Sequence, residues 1–170
     1  MIIWITGLPG TGKTTLAKKI KSILETKISN NIVLLDGDNI RSILPYKISY
    51  SNEDRIKLAL FYSKLALLIE QSNCIVICSF VALFHEIQKH TRINAHDYFE
   101  IFLDPCIEEL VKKNKKGLYE KESEYLRDQF SKHQFPKDPE LRINSLINGV
   151  YQDHLELITK KLFGKLKITT

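Results

Sequence analysis

The chain has 170 residues, 44% hydrophobic and 26% charged, with a formal net charge of +5. That length suffices for one domain (residues 1–170) with a substantial core and is short for two. No apolar run approaches the ~20 residues needed to span a membrane, so a cytoplasmic protein without a membrane partner is expected. The positive balance suits an enzyme that attracts polyanionic nucleotides. Without a basic stripe and interleaved aromatics it gives no reason to expect a nucleic-acid partner.

Apolar runs of strand length alternate with helical patterns along the chain. Residues 2–6 (IIWIT) read as a strand, 13–26 as a helix and 31–36 (NIVLLD) as a second strand. Residues 53–71 carry Ile56, Leu60, Leu65 and Leu68 at helical spacing. CIVICSF (74–80) is an almost continuous apolar run, as in a central parallel strand. A helix over 84–91 and a strand over 98–104 come next. Pro105 suits the first turn of a helix reaching about Asn114. The charged stretch 115–138 is long for a connection and reads as a lid or binding loop. A short strand over 140–144 and an amphipathic helix over 149–162 close the chain. Such alternation predicts an α/β fold, a parallel sheet flanked by helices. The cysteines (74, 78, 106) and histidines (85, 90, 96, 133, 154) form no zinc spacing, and the cysteines read as free thiols.

GLPGTGKT, Gly7 to Thr14, matches G-x-x-x-x-G-K-[ST] in full, after a strand and at the start of a helix. Gly7, Gly10 and Gly12 let the backbone turn its N–H groups toward an anion, and the helix N-terminus adds partial positive charge. Lys13 can reach β- and γ-phosphates, and Thr14 can ligate Mg²⁺. The sequence contains no N-K-x-D guanine motif. FLD ends in Asp104, but Pro105 stands directly after it, unlike the strand end of a motor ATPase. Small size, an early acidic motif and a lid-like loop favour phosphoryl transfer to a small acceptor.

LLDGDNIR places Asp36 and Asp38 at the end of the second strand, where ligands of open α/β sheets gather. One carboxylate can hold Mg²⁺ through water, and the other can accept the proton of an attacking hydroxyl. Asp38 and Asn39 can also serve as caps for the next turn. Arg41 and Arg55, two of the five arginines, suit bidentate recognition of phosphate-like oxyanions.

GLPGTGKTT, LDGDNIR, SNEDR (51–55), CSF (78–80), EIFLD (100–104) and KGLYEK (116–121) stand in an order and spacing that resemble the adenylylsulfate kinase family. The resemblance covers Met1 to about Arg142. It implies a P-loop kinase, commonly a homodimer, that moves the γ-phosphate of MgATP to the ribose 3′-hydroxyl of a small-molecule nucleotide. It implies a nucleotide cradle of Gly7, Pro9, Gly10, Thr11, Gly12, Lys13, Thr14 and Thr15, with Thr14 and Asp36 at the metal and Asp38 at the hydroxyl. Arg41, Arg55, Ser79, Phe80, Lys116, Gly117, Leu118 and Phe130 fall on the acceptor side, Phe130 as the ring that stacks on the base.

The departures concentrate on that acceptor side. Where the family usually has I-S-P-Y-R after the central strand, this chain reads VALFHE, with Ala82 and His85 at the serine and arginine positions. Pro45 replaces an asparagine, Lys113 an arginine, and the lid motif reads FSKHQ (130–134). In this the chain looks most like a branch of the family from bacterial capsule pathways whose acceptor is cytidine diphosphoramidate. Adenylyl sulfate is the alternative acceptor, and a catalytically dead nucleotide-binding regulator is the alternative of another class.

Overall fold

The computed structural model describes residues 1–29, 31–49, 51–113, 133–144 and 152–167. Five strands form one parallel sheet in the order β2-β3-β1-β4-β5. They are β1 (Ile2–Gly7), β2 (Ile32–Asp36), β3 (Ile75–Ser79), β4 (Tyr98–Leu103) and β5 (Leu141–Ile143). The described helices are α1 (Lys13–Glu25), α2 (Gly37–Ser42), α3 (Asn52–Glu70), α4 (His85–Asn94), α5 (Ile107–Lys113) and α6 (Gln152–Leu166).

The period of two along the strands divides the core. Ile3 and Ile5 of β1, with Ile75 and Ile77 of β3, face Leu16, Ile20 and Leu24 of α1 and Ile158 and Leu162 of α6. Ile2 and Trp4, with Val76 and Cys78, face Leu58, Ala59, Tyr62 and Ala66 of α3 and Ile87 of α4. Both faces of the central strands are therefore buried, which is why those strands are apolar without alternation. Each fully buried isoleucine contributes about 2 kcal/mol of transfer free energy. The registers Asp36↔Ser79, Ile5↔Ser79 and Gly7↔Leu103 bring the carboxyl ends of β2, β3, β1 and β4 to one edge. Among the described residues no helix is long and apolar enough to cross a membrane.

Four expectations change. α2 is a helix of its own after β2. On α3 the buried face carries Leu58, Ala59, Tyr62, Ser63, Ala66 and Glu70, while Leu68 is 63% exposed. This helix is apolar nearly all round, so spacing alone cannot choose its inner face. α5 starts at Ile107 rather than at Pro105, because Asp104 N–H still bonds to Ile143 O at 2.8 Å and keeps the chain extended. α6 runs four residues beyond Leu162 to Leu166, and residues 149–151 of its expected start lie outside the described residues. The three cysteines are free, with Cys78 buried and its thiol pushed well up by desolvation.

A charged network ties α4 to the β4–β5 side of the sheet. Arg92 pairs closely with Glu140, reaches Glu100 at 3.2 Å, and lies 4.7 Å over the Tyr98 ring. Burial pushes the Glu100 carboxyl up although Arg92 opposes it. Glu140 is also penalised by burial, but hydrogen bonds from Arg92 and the Glu100 N–H hold it down overall. Replacing Arg92 by leucine leaves both carboxylates without their cation. The raised Glu100 then destabilises the fold as pH climbs past its unfolded value. The stabilisation carried by the lowered Glu140 exists only above that same value. Both signs agree. We expect Arg92→Leu to cost about 2 kcal/mol at pH 7.5, discounted for partial solvation of the guanidinium, and clearly less at pH 4. Urea denaturation at the two pH values measures it.

Candidate active site

The turn from β1 into α1 is built around one carbonyl. Leu8 O accepts Thr11 N–H at 3.4 Å, Thr11 Oγ1 at 2.9 Å and Lys13 Nζ at 2.7 Å. Gly10 and Gly12 adopt φ of +77° and +88°, in the left-handed region that favours glycine. Gly7 is required for space, since a Cβ there would lie 2.5 Å from Leu103 O on the neighbouring strand. Thr11 is fully buried and braces the loop, and Lys13 is largely buried across it. Pro9 and Gly12 are half-buried, whereas Gly10, Thr14 and Thr15 are open at the start of α1. The result is a concave run of backbone N–H groups at a helix N-terminus, suited to an anion.

The acidic turn meets this loop directly. Thr14 Oγ1 donates to Asp36 Oδ2 at 2.7 Å, and Ser79 Oγ lies 3.4 Å from Thr14 Oγ1. Asp36 Oδ1 accepts the N–H groups of Asp38 at 3.1 Å and Asn39 at 3.4 Å, so Asp36 is the N-cap of α2. The cap expected at Asp38 or Asn39 thus falls to Asp36. That leaves the Asp38 carboxylate exposed at the first turn of α2, clear of capping duty. A hydroxyl has one proton and two lone pairs. With its proton given to Asp36, Thr14 presents lone pairs outward, which fits a hard cation. Among the described residues no three His, Cys, Asp or Glu side chains cluster as a metal cage. Mg²⁺ at phosphates needs only one or two protein oxygens, so Thr14 with Asp36 behind it fits.

The acceptor-side residues fall into separate groups. Ser79 is 3% exposed and belongs with Thr14 and Asp36 on the donor side. Phe80 is 1% exposed and is a core residue rather than a contact surface. Its ring stacks on Tyr62 at 4.2 Å and meets Trp4 edge-on at 5.2 Å. The resemblance of CSF (78–80) alone places Phe80 on the acceptor side, and the buried run IVICSF (75–80) carries it into the core. Arg41 stands at the end of α2, beside an open cleft of about 410 Å³ lined also by Leu44, Pro45, Tyr46 and Lys47. Arg55 is half-buried on α3, its Nη2 2.6 Å from His133 Nε2 and its guanidinium 5.6 Å from the Phe84 ring centre. Lys116, Gly117, Leu118 and Phe130 lie outside the described residues, as does most of the expected lid.

The described end of that stretch is tightly held. Gln134 N–H bonds to Leu83 O at 2.9 Å, and Gln134 Oε1 accepts the His85 N–H at 2.8 Å. His85 Nε2 lies 2.8 Å from Phe135 O. The segment 81–86 and Gln134, the described end of 130–134, which both depart from the resembled pattern, therefore meet here. Arg142 anchors the chain at Pro136 by donating to Pro136 O and to Asp104 Oδ2, both at 3.0 Å. Sequence reasoning missed two residues at this site, Tyr62 and His133. Tyr62 donates to Gly37 O at 3.0 Å, between the two aspartates. It stands seven residues after Arg55, hence on the same helix face roughly 10 Å further along. That spacing was the available signal. His133 lies within the altered lid motif FSKHQ, but its contact with Arg55 comes only from the fold.

Known proteins resemble this chain over most of its length. The family model for adenylylsulphate kinase matches residues 1–144. A cytidine diphosphoramidate kinase of Campylobacter jejuni is 34% identical over 164 residues, covering 95% of each chain. A probable adenylyl-sulfate kinase of Aeropyrum pernix is 28% identical, covering 88% of this chain and 86% of its own. The structure of the Mycobacterium tuberculosis APS kinase in complex with AMPPNP and APS superposes with a TM-score of 0.77 at 25% identity, covering 95% of this chain and 96% of that one. A glycine loop braced on Leu8, a threonine bonded to the aspartate that ends β2, and this likeness along the chain agree: the protein belongs to the adenylylsulphate kinase family and is a phosphotransferase.

Proposed function

We propose that this protein transfers the γ-phosphate of ATP to the ribose 3′-hydroxyl of cytidine diphosphoramidate. The observation that carries the reading is the junction of cradle and acidic turn through Thr14 and Asp36, 2.7 Å apart, with the exposed Asp38 two residues on. The acceptor is supported by the 34% likeness to a cytidine diphosphoramidate kinase across nearly the whole of both chains. The departures at 81–86 and 130–134, on the side where the resemblance puts the acceptor, support a changed acceptor.

In this reading the backbone of Gly7 to Thr15, Pro9 and Thr11 included, binds the triphosphate. Lys13 leaves Leu8 O for the phosphates and offsets charge on the transferring group. Thr14 and Asp36 hold Mg²⁺, with Ser79 beside them. Mg²⁺ held there would offset the negative charge of the phosphates. Asp38 orients the 3′-hydroxyl and accepts its proton. The 3′-oxygen bonds to the γ-phosphorus as the bond to the β,γ-bridging oxygen breaks, and ADP leaves. Arg41 and Arg55 bind the acceptor's phosphate-like groups. Lys116, Gly117 and Leu118 close over the acceptor, and Phe130 stacks on its base. Positioning and charge stabilisation carry most of the catalysis, so a strong base is not required. A single domain over 1–170, a cytoplasmic location and a homodimer belong to the same reading.

Adenylyl sulfate is the second reading, favoured by the superposition on the APS-bound kinase. A coupled ADP-release assay compares the two acceptors. We expect kcat/KM to be higher for cytidine diphosphoramidate, and faster use of adenylyl sulfate overturns the proposal. ATP binding without acceptor-dependent ADP release would instead indicate a nucleotide-binding regulator. For the proton acceptor, Asp38→Asn is expected to lower kcat about 100-fold with little change in the KM for ATP. Near-parental kcat in steady-state assays would remove Asp38 from that role.

A further inference from the structure

We infer that Tyr62 is a positioning residue for the acceptor, its phenol holding Arg41 and the Asp36–Asp38 turn in register with the phosphate cradle. The inference rests on the reading of Asp38 and Arg41 as acceptor-side residues. Tyr62 lies on α3 at 4% exposure, and its ring is fixed in a column of three. It stacks on Phe80 with the planes 7° apart, and Phe80 meets Trp4 edge-on. A ring held this way can aim its hydroxyl in only one direction. That direction is the peptide between the two aspartates, where the hydroxyl donates to Gly37 O at 3.0 Å.

The Arg41 guanidinium, four residues beyond Gly37 on α2, also acts on this phenol by its charge. A phenol has one proton to give. With that proton on Gly37 O, the hydroxyl fixes the first residue of α2, and through that short helix the place where Arg41 stands. Burial pushes the phenol up from its ordinary value, while Arg41 pulls it the other way and Asp38 and Asp36 add to the rise. The hydroxyl therefore keeps its proton throughout the neutral range and remains a donor to Gly37.

Packing does not explain this hydroxyl. Phenylalanine would stack on Phe80 equally well and would avoid burying a polar group. Gly37 and Arg41 both lie in the short segment that joins the cradle to the acceptor side. Tyr62 thus fixes where the Arg41 charge sits relative to Asp38, and that placement governs acceptor affinity more than ATP affinity.

Tyr62→Phe keeps the ring and removes only the hydroxyl. It is tested with whichever of cytidine diphosphoramidate and adenylyl sulfate the parent protein turns over faster. The expected result is an acceptor KM raised about 10-fold, with the KM for ATP and kcat within about twofold of parent. In an Arg41→Ala background the same substitution should add nothing further to the acceptor KM, because Tyr62 acts on the acceptor through the placement of Arg41 on α2. An unchanged acceptor KM in Tyr62→Phe overturns the inference. So does an equal rise in both KM values, or an effect that persists in full without Arg41. A lowered thermal midpoint with parental kinetics assigns Tyr62 to stability alone and also overturns it. If Arg41→Ala itself leaves acceptor KM unchanged, the acceptor reading of Arg41 fails and the inference falls with it. If Arg41→Ala weakens the acceptor and Tyr62→Phe does not, only the inference fails.

Discussion

The hydrogen bond between Thr14 and Asp36 joins the two halves of the site. Thr14 opens α1, the helix whose N-terminus faces the cradle. Asp36 ends β2 and caps α2. One carboxylate therefore fixes three things at once: the proton of Thr14, the first turn of α2, and the orientation of Asp38 and Arg41 on that turn. The parallel register makes this possible, because it ends β1, β2 and β3 at one edge. Shift β2 by one residue and Asp36 would point to the other face of the sheet, away from Thr14.

Beneath that junction lies a packed support. Phe80 fills the space between Trp4 and Tyr62, and Tyr62 carries the acidic turn. On the far side Arg55 sits between His133 and the Phe84 ring. Gln134 and His85 tie residues 133–135 to the stretch after β3. Donor binding is built from backbone and from groups close in sequence. In the proposed reading, acceptor recognition is assembled from α2, α3, the turn after β3 and the returning segment near 133. Such a composite surface can change acceptor through substitutions that leave the cradle untouched.

The donor half was legible in the chain because its geometry is local. The residues from Gly7 to Lys13 make the loop, and glycine spacing encodes them. The central strands β1, β3 and β4 were legible for a related reason: burial on both faces leaves nearly continuous apolar runs bounded within a residue or two. The acceptor half was legible only in outline. α3 is apolar on nearly every side, so its inner face depended on what it packs against. Phe80 is expected at the site from the resemblance of CSF (78–80), whereas its ring is packed between Trp4 and Tyr62. The capping of α2 by Asp36 rather than by Asp38 or Asn39 depends on backbone conformation at the strand end. The Arg55–His133 contact spans 78 residues of sequence, a separation no spacing rule reaches.

In the proposed reaction the phosphate held at the cradle is handed to a sugar hydroxyl. Phosphorus NMR of the product tests this most directly, because coupling to a ribose proton reports the carbon that carries the new ester. The account predicts a phosphomonoester coupled to H3′ of the acceptor, formed in step with ADP. Phosphate found on another position, or inorganic phosphate as the only new species, would contradict it.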